Sequence, residues 1–423
     1  MLLSQSRLGK VLVAILAVVM TLTALTWAGP LTSGALLLLL PTGQSPEEHD
    51  LPILYQPLHK GGVHLATGHY SREDEDLIVR GTPALVLRRT HLAGNRLQKE
   101  FGIGTTHNGE RYLVGDPVGF QWAALMLPDG IQVRFERTSS GSSYGNAMYE
   151  HRDSASEWYG AQLGWTGLDW ALRRRDGLLM RFNGCGEGGP TTCSIVTERD
   201  ADGHVIRYQR DKAGRLLRME ATPDRWIAFD YDNDGRIVRA FSSSSEHVRY
   251  DYDDRGRLSD VTASDGRRHH YGYSARHEMT RVEDPGVIIE NSYDANNRCI
   301  RQVNTYPEST PYTFEFSYLL NGDTVVETNE ARSDGTWTRY NWDASQQRTS
   351  ETWGATGFHS ATFSYERDPF THIVTAMTLT CPSRAGSLHS HWSRVRNGDE
   401  ERTKRNLLRT NCSWESADWQ QPN

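Results

Sequence analysis

Two hydrophobic patterns divide the chain. The first is continuous. Arg7 and Lys10 precede a run from Val11 to Trp27 without charge, Leu36 to Leu40 adds a second apolar patch after Gly29-Pro30, and the next charged residue is Glu47. A run of this length without a polar face predicts an N-terminal hydrophobic helix, and the basic residues ahead of it direct the following chain outward. Two readings of residues 1–44 stay open. Thr26-Trp27-Ala28 offers the small residues of a signal-peptide cleavage site before Gly29, while the whole stretch is long enough to be a membrane anchor.

The second pattern alternates. In a block from 54 to 183, Ala84 to Thr90 reads as a strand, Gly and Pro mark strand ends, and Asp129-Gly130 precedes Ile131-Gln132-Val133-Arg134-Phe135 as a hairpin would. Leu168 to Leu172 and Leu178 to Phe182 form another hairpin pair. From 186 to 378 the alternation tightens: Phe229-Asp230-Tyr231 and Tyr250-Asp251-Tyr252 place aromatics on one strand face and acids on the other.

This second block is a repeat. Tyr231-Asp232-Asn233-Asp234-Gly235-Arg236-Ile237 is followed by Tyr252-Asp253-Asp254-Arg255-Gly256-Arg257-Leu258. An earlier copy keeps Asp211, Gly214, Arg215 and Leu216, and later copies are weaker, at Tyr273-Ser274, Tyr293-Asp294, Trp342-Asp343 and Tyr365-Glu366. Positions 211, 232, 253, 274 and 294 are spaced by 21, 21, 21 and 20 residues. Such a period holds two short strands and two turns. Asp caps the turn, Gly supplies its positive φ, and the aromatic face is buried only when copies stack.

The Tyr-Asp-x-x-Gly-Arg-Leu/Ile unit at this period resembles the YD repeat of Rhs proteins, teneurins and insecticidal toxin-complex components. Upstream, Gly62 to Gly68, Leu85 to Thr90 and Phe101-Gly102-Ile103-Gly104 stand where Rhs chains carry a Gly-Val-x-x-x-Thr-Gly motif, a strand and a Phe-Gly-x-Gly motif. The resemblance covers residues 60 to 378. It implies an all-β chain: a spiralling antiparallel sheet of YD repeats forming part of a shell, preceded by a β-rich opening domain and the N-terminal helix. It also implies a non-catalytic scaffold segment of an Rhs-type polymorphic toxin or contact-dependent competition protein. The family's C-terminal core and toxin have no counterpart here, so a gene product truncated before the core is expected.

Composition narrows this. Acidic residues outnumber basic ones 53 to 46, which disfavours nucleic acid as a partner. Cys185 and Cys193 bracket a Gly-rich loop and would form a disulfide in an exported chain, whereas Cys299, Cys381 and Cys412 look isolated. The repeat rhythm fades after Leu379. Residues 379–423 read as an aperiodic tail, disordered or out of frame, with seven basic and five acidic residues after position 380.

Candidate chemistry is sparse. Asp230-x-Asp232-x-Asp234-Gly235 resembles half a calcium loop, but Phe241 stands where the bidentate Glu belongs, so no metal is expected. His269-His270 has no HExxH context, and no Gly-x-Ser-x-Gly elbow occurs. No catalytic residue and no cofactor are expected. The alternative function is a surface carbohydrate-binding or adhesion module, in which Trp158, Trp165, Trp170, Trp337 and Trp353 would be free to stack on sugars or meet another cell-surface ligand. The expected location is membrane-anchored facing the periplasm or exterior, or secreted.

Overall fold

Strands form where aromatic or β-branched residues alternate with polar ones, and turns form at the Asp-Gly and Pro punctuation between them. The structure, a computed structural model, describes residues 61–116, 119–152, 156–183, 185, 190–356, 360–368, 373–382, 388–395 and 400–411. The signal-or-anchor segment 1–44 lies outside the described residues, as does Cys412. Among the described residues no helix is long and apolar enough to cross a membrane.

The opening block contributes β1 (Ser71–Val79), β2 (Leu85–Leu92), β3 (Gln98–Lys99), β4 (Gly102–Ile103) and β5 (Thr105–His107). Strands β1, β2 and β5 form one antiparallel sheet, and β3 pairs with β4.

Next come β6 (Tyr112–Gly115), β7 (Trp122–Met126), β8 (Gln132–Arg137), β9 (Met148–Glu150), β10 (Gln162–Trp165), β11 (Trp170–Arg173), β12 (Leu179–Asn183) and β13 (Thr191–Arg199). Each pairs antiparallel with the next, and β13 returns to β6 through Cys193↔Leu113 and Ser194↔Tyr112, closing a ring of eight strands. Eight strands leave an interior that side chains can fill. Leu113, Phe135, Tyr149, Leu163, Trp170 and Phe182 fill it, all fully buried. Cys185 and Cys193 form a disulfide beside the closing pairs, with Cα atoms 5.5 Å apart.

At β13 the sheet forks. Its N-terminal half pairs with β6, and Thr197 to Arg199 pair with β14 (Val205–Arg210). From there one antiparallel ladder runs through β15 (Leu216–Thr222), β16 (Arg225–Tyr231), β17 (Ile237–Ser242), β18 (His247–Tyr252), β19 (Leu258–Ala263), β20 (Arg268–Tyr273), β21 (Met279–Asp284) and β22 (Val287–Tyr293). It continues through β23 (Cys299–Thr305), β24 (Tyr312–Asn321), β25 (Thr324–Arg332), β26 (Thr336–Trp342), β27 (Arg348–Ala355), β28 (Ala361–Arg367), β29 (Val374–Pro382) and β30 (Leu388–Arg394). Helix α1 (Glu400–Asn411) packs against β29 and β30.

The chain is therefore nearly all β, but four expectations change. The eight-stranded ring crosses the boundary drawn between residues 183 and 186, because β13 serves both ring and ladder. The ladder does not stop at Leu379: Ala376 to Pro382 pair with Leu388 to Arg394, and a helix follows. Lys404 on that helix reaches Glu351 at 2.8 Å and lies over Trp353 and Tyr365, so ion pairing holds a segment that lacks the repeat rhythm. Cys381 is disulfide-bonded rather than isolated. Trp158 and Trp170 are core residues, 3% and 0% exposed, and Trp165, Trp337 and Trp353 are half-buried, so none of the five is a free sugar platform.

Candidate functional site: the repeat turns and the seam they form with the opening block

One carboxylate builds each strong repeat turn. Asp232 Oδ1 accepts the backbone N–H groups of Asp234 and Arg236, at 2.9 and 2.8 Å, and its Oδ2 accepts Arg236 Nε at 2.8 Å. The same three bonds recur at Asp211 with Arg215, Asp253 with Arg257 and Asp294 with Arg298. Gly235 closes its turn at φ +79, and Gly214 and Gly256 do likewise. In the weaker copies His277, Asn297 and Gln346 hold the same left-handed position. Each turn slips the register by one residue, just before Tyr231, Tyr252, Tyr273 and Tyr293, as a β-bulge does.

Tyr and Arg then tie one repeat to the next. The Tyr231 hydroxyl donates to the carbonyl of Leu216 at 2.7 Å, Tyr252 to Ile237 at 2.6 Å, Tyr273 to Leu258 at 2.8 Å and Tyr293 to Met279 at 2.6 Å. The arginine of the preceding copy lies over the same ring: Arg215 over Tyr231, Arg236 over Tyr252 and Arg257 over Tyr273, at 5.0, 4.8 and 5.0 Å. Tyr252→Phe keeps the ring under Arg236 and removes only the hydroxyl. It is expected to lower stability by about 0.5–1.5 kcal/mol, read by urea denaturation; unchanged stability would show that the hydroxyl does not join the repeats.

The arrangement leaves no room for calcium at Asp232 and Asp234. Both carboxylates are bonded to Arg236, and Asp230 points the other way, toward Arg239 at 3.8 Å. His269 and His270 each face a carboxylate, Asp284 at 2.6 Å and Asp260 at 3.1 Å.

The opening block lies against the ladder along a charged seam. Arg72, Asp74 and Asp76 alternate on one face of β1, and Arg89 on β2 is 1% exposed. Arg89 donates Nε and Nη2 to Asp76 at 3.0 and 3.1 Å and Nη2 to the Tyr271 hydroxyl at 3.0 Å. The Tyr250 hydroxyl donates to Asp76 at 2.9 Å, and Tyr271 to Asp74 at 3.2 Å. Arg72 bridges Asp74 on its own strand to Asp284 on β21, at 2.6 and 2.8 Å. Burial alone would raise Asp74, but Arg89 and Arg72 outweigh it and hold the carboxyl below its usual range. Burial, with the carboxylates close by, pushes the Tyr250 and Tyr271 hydroxyls well above theirs.

A second knot sits at the end of β5. His107 Nδ1 accepts the Gly109 N–H at 3.1 Å, so its Nε2 carries the proton donated to Glu100 at 2.9 Å. Glu100 also accepts the Tyr231 hydroxyl at 2.9 Å and the Leu216 N–H at 3.2 Å, while its own carbonyl accepts the N–H of Ile237 at 2.7 Å. Burial would raise Glu100; the His107 and Tyr231 bonds bring it below normal. Glu100, His107 and Glu110 are close enough to hold an ion, but their atoms already bond one another, Lys99 and the ladder.

Both upstream motifs are docking loops. Gly102 bridges to Arg257 in the ladder, and Ile103 donates to the Gly256 carbonyl at 3.1 Å. A Cβ on Gly102 would meet that carbonyl at 2.5 Å, so the motif needs glycine there. In the Gly62–Gly68 loop, the carbonyls of Gly61, Leu65 and Gly68 accept from Gln302, Thr328 and Cys299 at 2.8, 2.5 and 2.8 Å. Sequence reasoning located the repeat Asp, Gly, Arg and Tyr residues and both loops. It missed Arg89, Asp74, Asp76, Glu100 and His107, whose only local signal was acids at alternating positions of a strand.

Comparison with known proteins follows this division. Residues 193–391 match the Teneurin YD-shell family model, and residues 60–135 match a domain of unknown function (DUF6531). Among solved structures, the chain is similar to TcdB2-TccC3-TEV, with 14% identity and a TM-score of 0.36 over 75% of this chain and 19% of that one. It is also similar to a Photorhabdus luminescens Tc holotoxin pore, with 10% identity and a TM-score of 0.33 over 76% of this chain and 25% of that one. The chain thus spans a quarter or less of the length of these solved chains. A comparison with curated proteins found no match.

Proposed function

The chain is an Rhs-type YD-repeat protein, and on that premise we propose that it is a non-catalytic wall segment of a shell, of the kind that encloses or carries a toxin in polymorphic-toxin and contact-competition systems. The observation that carries this reading is the uninterrupted ladder from β13 to β30, joined repeat to repeat by its tyrosines and arginines and sealed on one face by the opening block. Turn carboxylates and seam charges are spent on each other, which suits a wall and not a reactive cleft.

Export to an oxidising compartment belongs to the same proposal. Its supports are the uncharged N-terminal run behind Arg7 and Lys10, and cysteines 185, 193 and 381 in disulfides.

The test is purification of the tagged chain from the cell that makes it, followed by negative-stain electron microscopy. Hollow particles with this chain in their wall, alone or with further polypeptides, are expected. Recovery only as solitary particles that adhere to cells, with no enclosing shell, would overturn the wall reading in favour of adhesion.

A further inference from the structure

The outer face of the eight-stranded ring carries a polar cavity that the wall reading does not use. Its volume is about 520 Å³, within the usual size of a small-ligand site. The floor is one cross-strand row: Gln162 of β10 stands opposite Glu150 of β9 on one side and Arg173 of β11 on the other. The next residues along these strands, Tyr149, Leu163 and Leu172, fill the ring interior, so the row faces outward. Tyr159 and Gly160 form one wall, and Arg174 and Arg175 the other.

The charges in this cavity are unequally spent. Glu150 pairs with Arg152 at 3.0 Å. Arg174 pairs with Glu157 at 3.2 Å and with Asp176, and lies over the Trp158 ring at 5.1 Å. Among the described residues, Arg173 and Arg175 face no carboxylate, and the Gln162 amide has no hydrogen-bond partner. Gly160, at φ +73, lets the Arg175 stem cross its backbone; a Cβ there would lie 2.7 Å from Arg175 Cδ. The cavity therefore presents two unspent guanidiniums, an amide that donates and accepts, one carboxylate acceptor and one phenol ring.

We propose that this cavity binds an acidic saccharide, with Arg173 and Arg175 taking a uronate-type carboxylate while Gln162, Glu150 and Tyr159 meet its hydroxyls and ring face. A guanidinium binds a carboxylate through paired N–H donors, which gives preference over phosphate-free neutral sugars. The row of acceptor, amide and donor is the complement of vicinal hydroxyls, each of which both donates and accepts. The half-spent Glu150 disfavours a polyanion as dense as nucleic acid. This proposal is independent of whether the ladder forms part of a shell.

The experiment is isothermal titration of the full chain with a uronate-containing oligosaccharide, its neutral counterpart, and inorganic phosphate. The acidic sugar is expected to bind at least about tenfold more tightly than the neutral one, in keeping with one charge-assisted contact, and phosphate is expected not to displace it. Arg173→Glu and Arg175→Glu, both at exposed positions, should abolish binding while the far-ultraviolet circular dichroism and thermal midpoint stay as in the parent chain. Equal binding of neutral and acidic sugars, displacement by phosphate, binding unaffected by both variants, or no binding at all would each overturn the proposal.

Discussion

Arg89→Ala is expected to destabilise the protein by about 3–5 kcal/mol, the usual cost of breaking a buried ion pair from one side. Arg89 is 1% exposed and answers two carboxylates, Asp76 through two bonds and Asp74 at 3.3 Å. Its removal leaves both acids facing each other and the Tyr250 and Tyr271 hydroxyls in a space closed to water. Arg89→Lys keeps the charge but not the fork that reaches Asp76 and Tyr271 together, so it should fall between the parent and the alanine variant. Asp76→Asn should cost less, because Asp74 still neutralises Arg89. Arg89→Leu with Asp76→Leu should recover much of the loss, since an apolar pair of similar volume removes the stranded charge. Urea denaturation of the four variants measures these differences. A loss below about 1 kcal/mol for Arg89→Ala, the range of an exposed pair, would mean that the seam does not hold the opening block to the ladder.

The contrast between repeat and seam explains what the sequence could show. Asp232 bonds to residues two and four positions ahead, Gly235 takes its φ within the same turn, and Tyr231 reaches back 15 residues to Leu216. Bonds this local leave a periodic trace, so the ladder and its turns were readable without coordinates. The seam is different. Tyr250 reaches Asp76 across 174 residues and Arg72 reaches Asp284 across 212, and nothing in either neighbourhood names its partner. The ring closure is hidden for the same reason: β13 pairs with β6 and β14 on one edge, and only three-dimensional proximity distinguishes them. The tail is hidden differently. β30 pairs with β29 through backbone bonds that require no repeat residue, so a ladder can outlast its own rhythm. Trp170 looked free for ligand because its neighbours in sequence are polar, yet it fills the middle of the ring.

The same seam should make the protein labile to mild acid. His64 and His91 are 5% and 1% exposed, and each spends one ring nitrogen on a hydroxyl, Ser71 and Thr105, both at 3.0 Å. Burial, aided by His69, pulls His64 down to about 4; burial, aided by Arg89 and Arg72, pulls His91 down to about 3. In the unfolded chain both titrate near 6.5. Above that pH neither state binds the proton and the histidines have no effect on stability. Below it the unfolded chain gains two protons that the native state refuses, so stability falls as pH falls. The slope approaches about 1.4 kcal/mol per pH unit for each histidine, or about 2.7 for the pair. His64 stops contributing below about 4 and His91 below about 3, where the native state also takes up the proton. Asp74 and Asp284, held below their usual range, drive stability in the same direction but at lower pH, where unfolded carboxylates protonate. The window from pH 6.5 to 5 therefore isolates the histidines. In it, replacing both by glutamine, which can still bond a hydroxyl but does not titrate, should flatten the dependence of unfolding free energy on pH measured by urea denaturation. A double variant that falls as steeply as the parent would place the acid lability elsewhere.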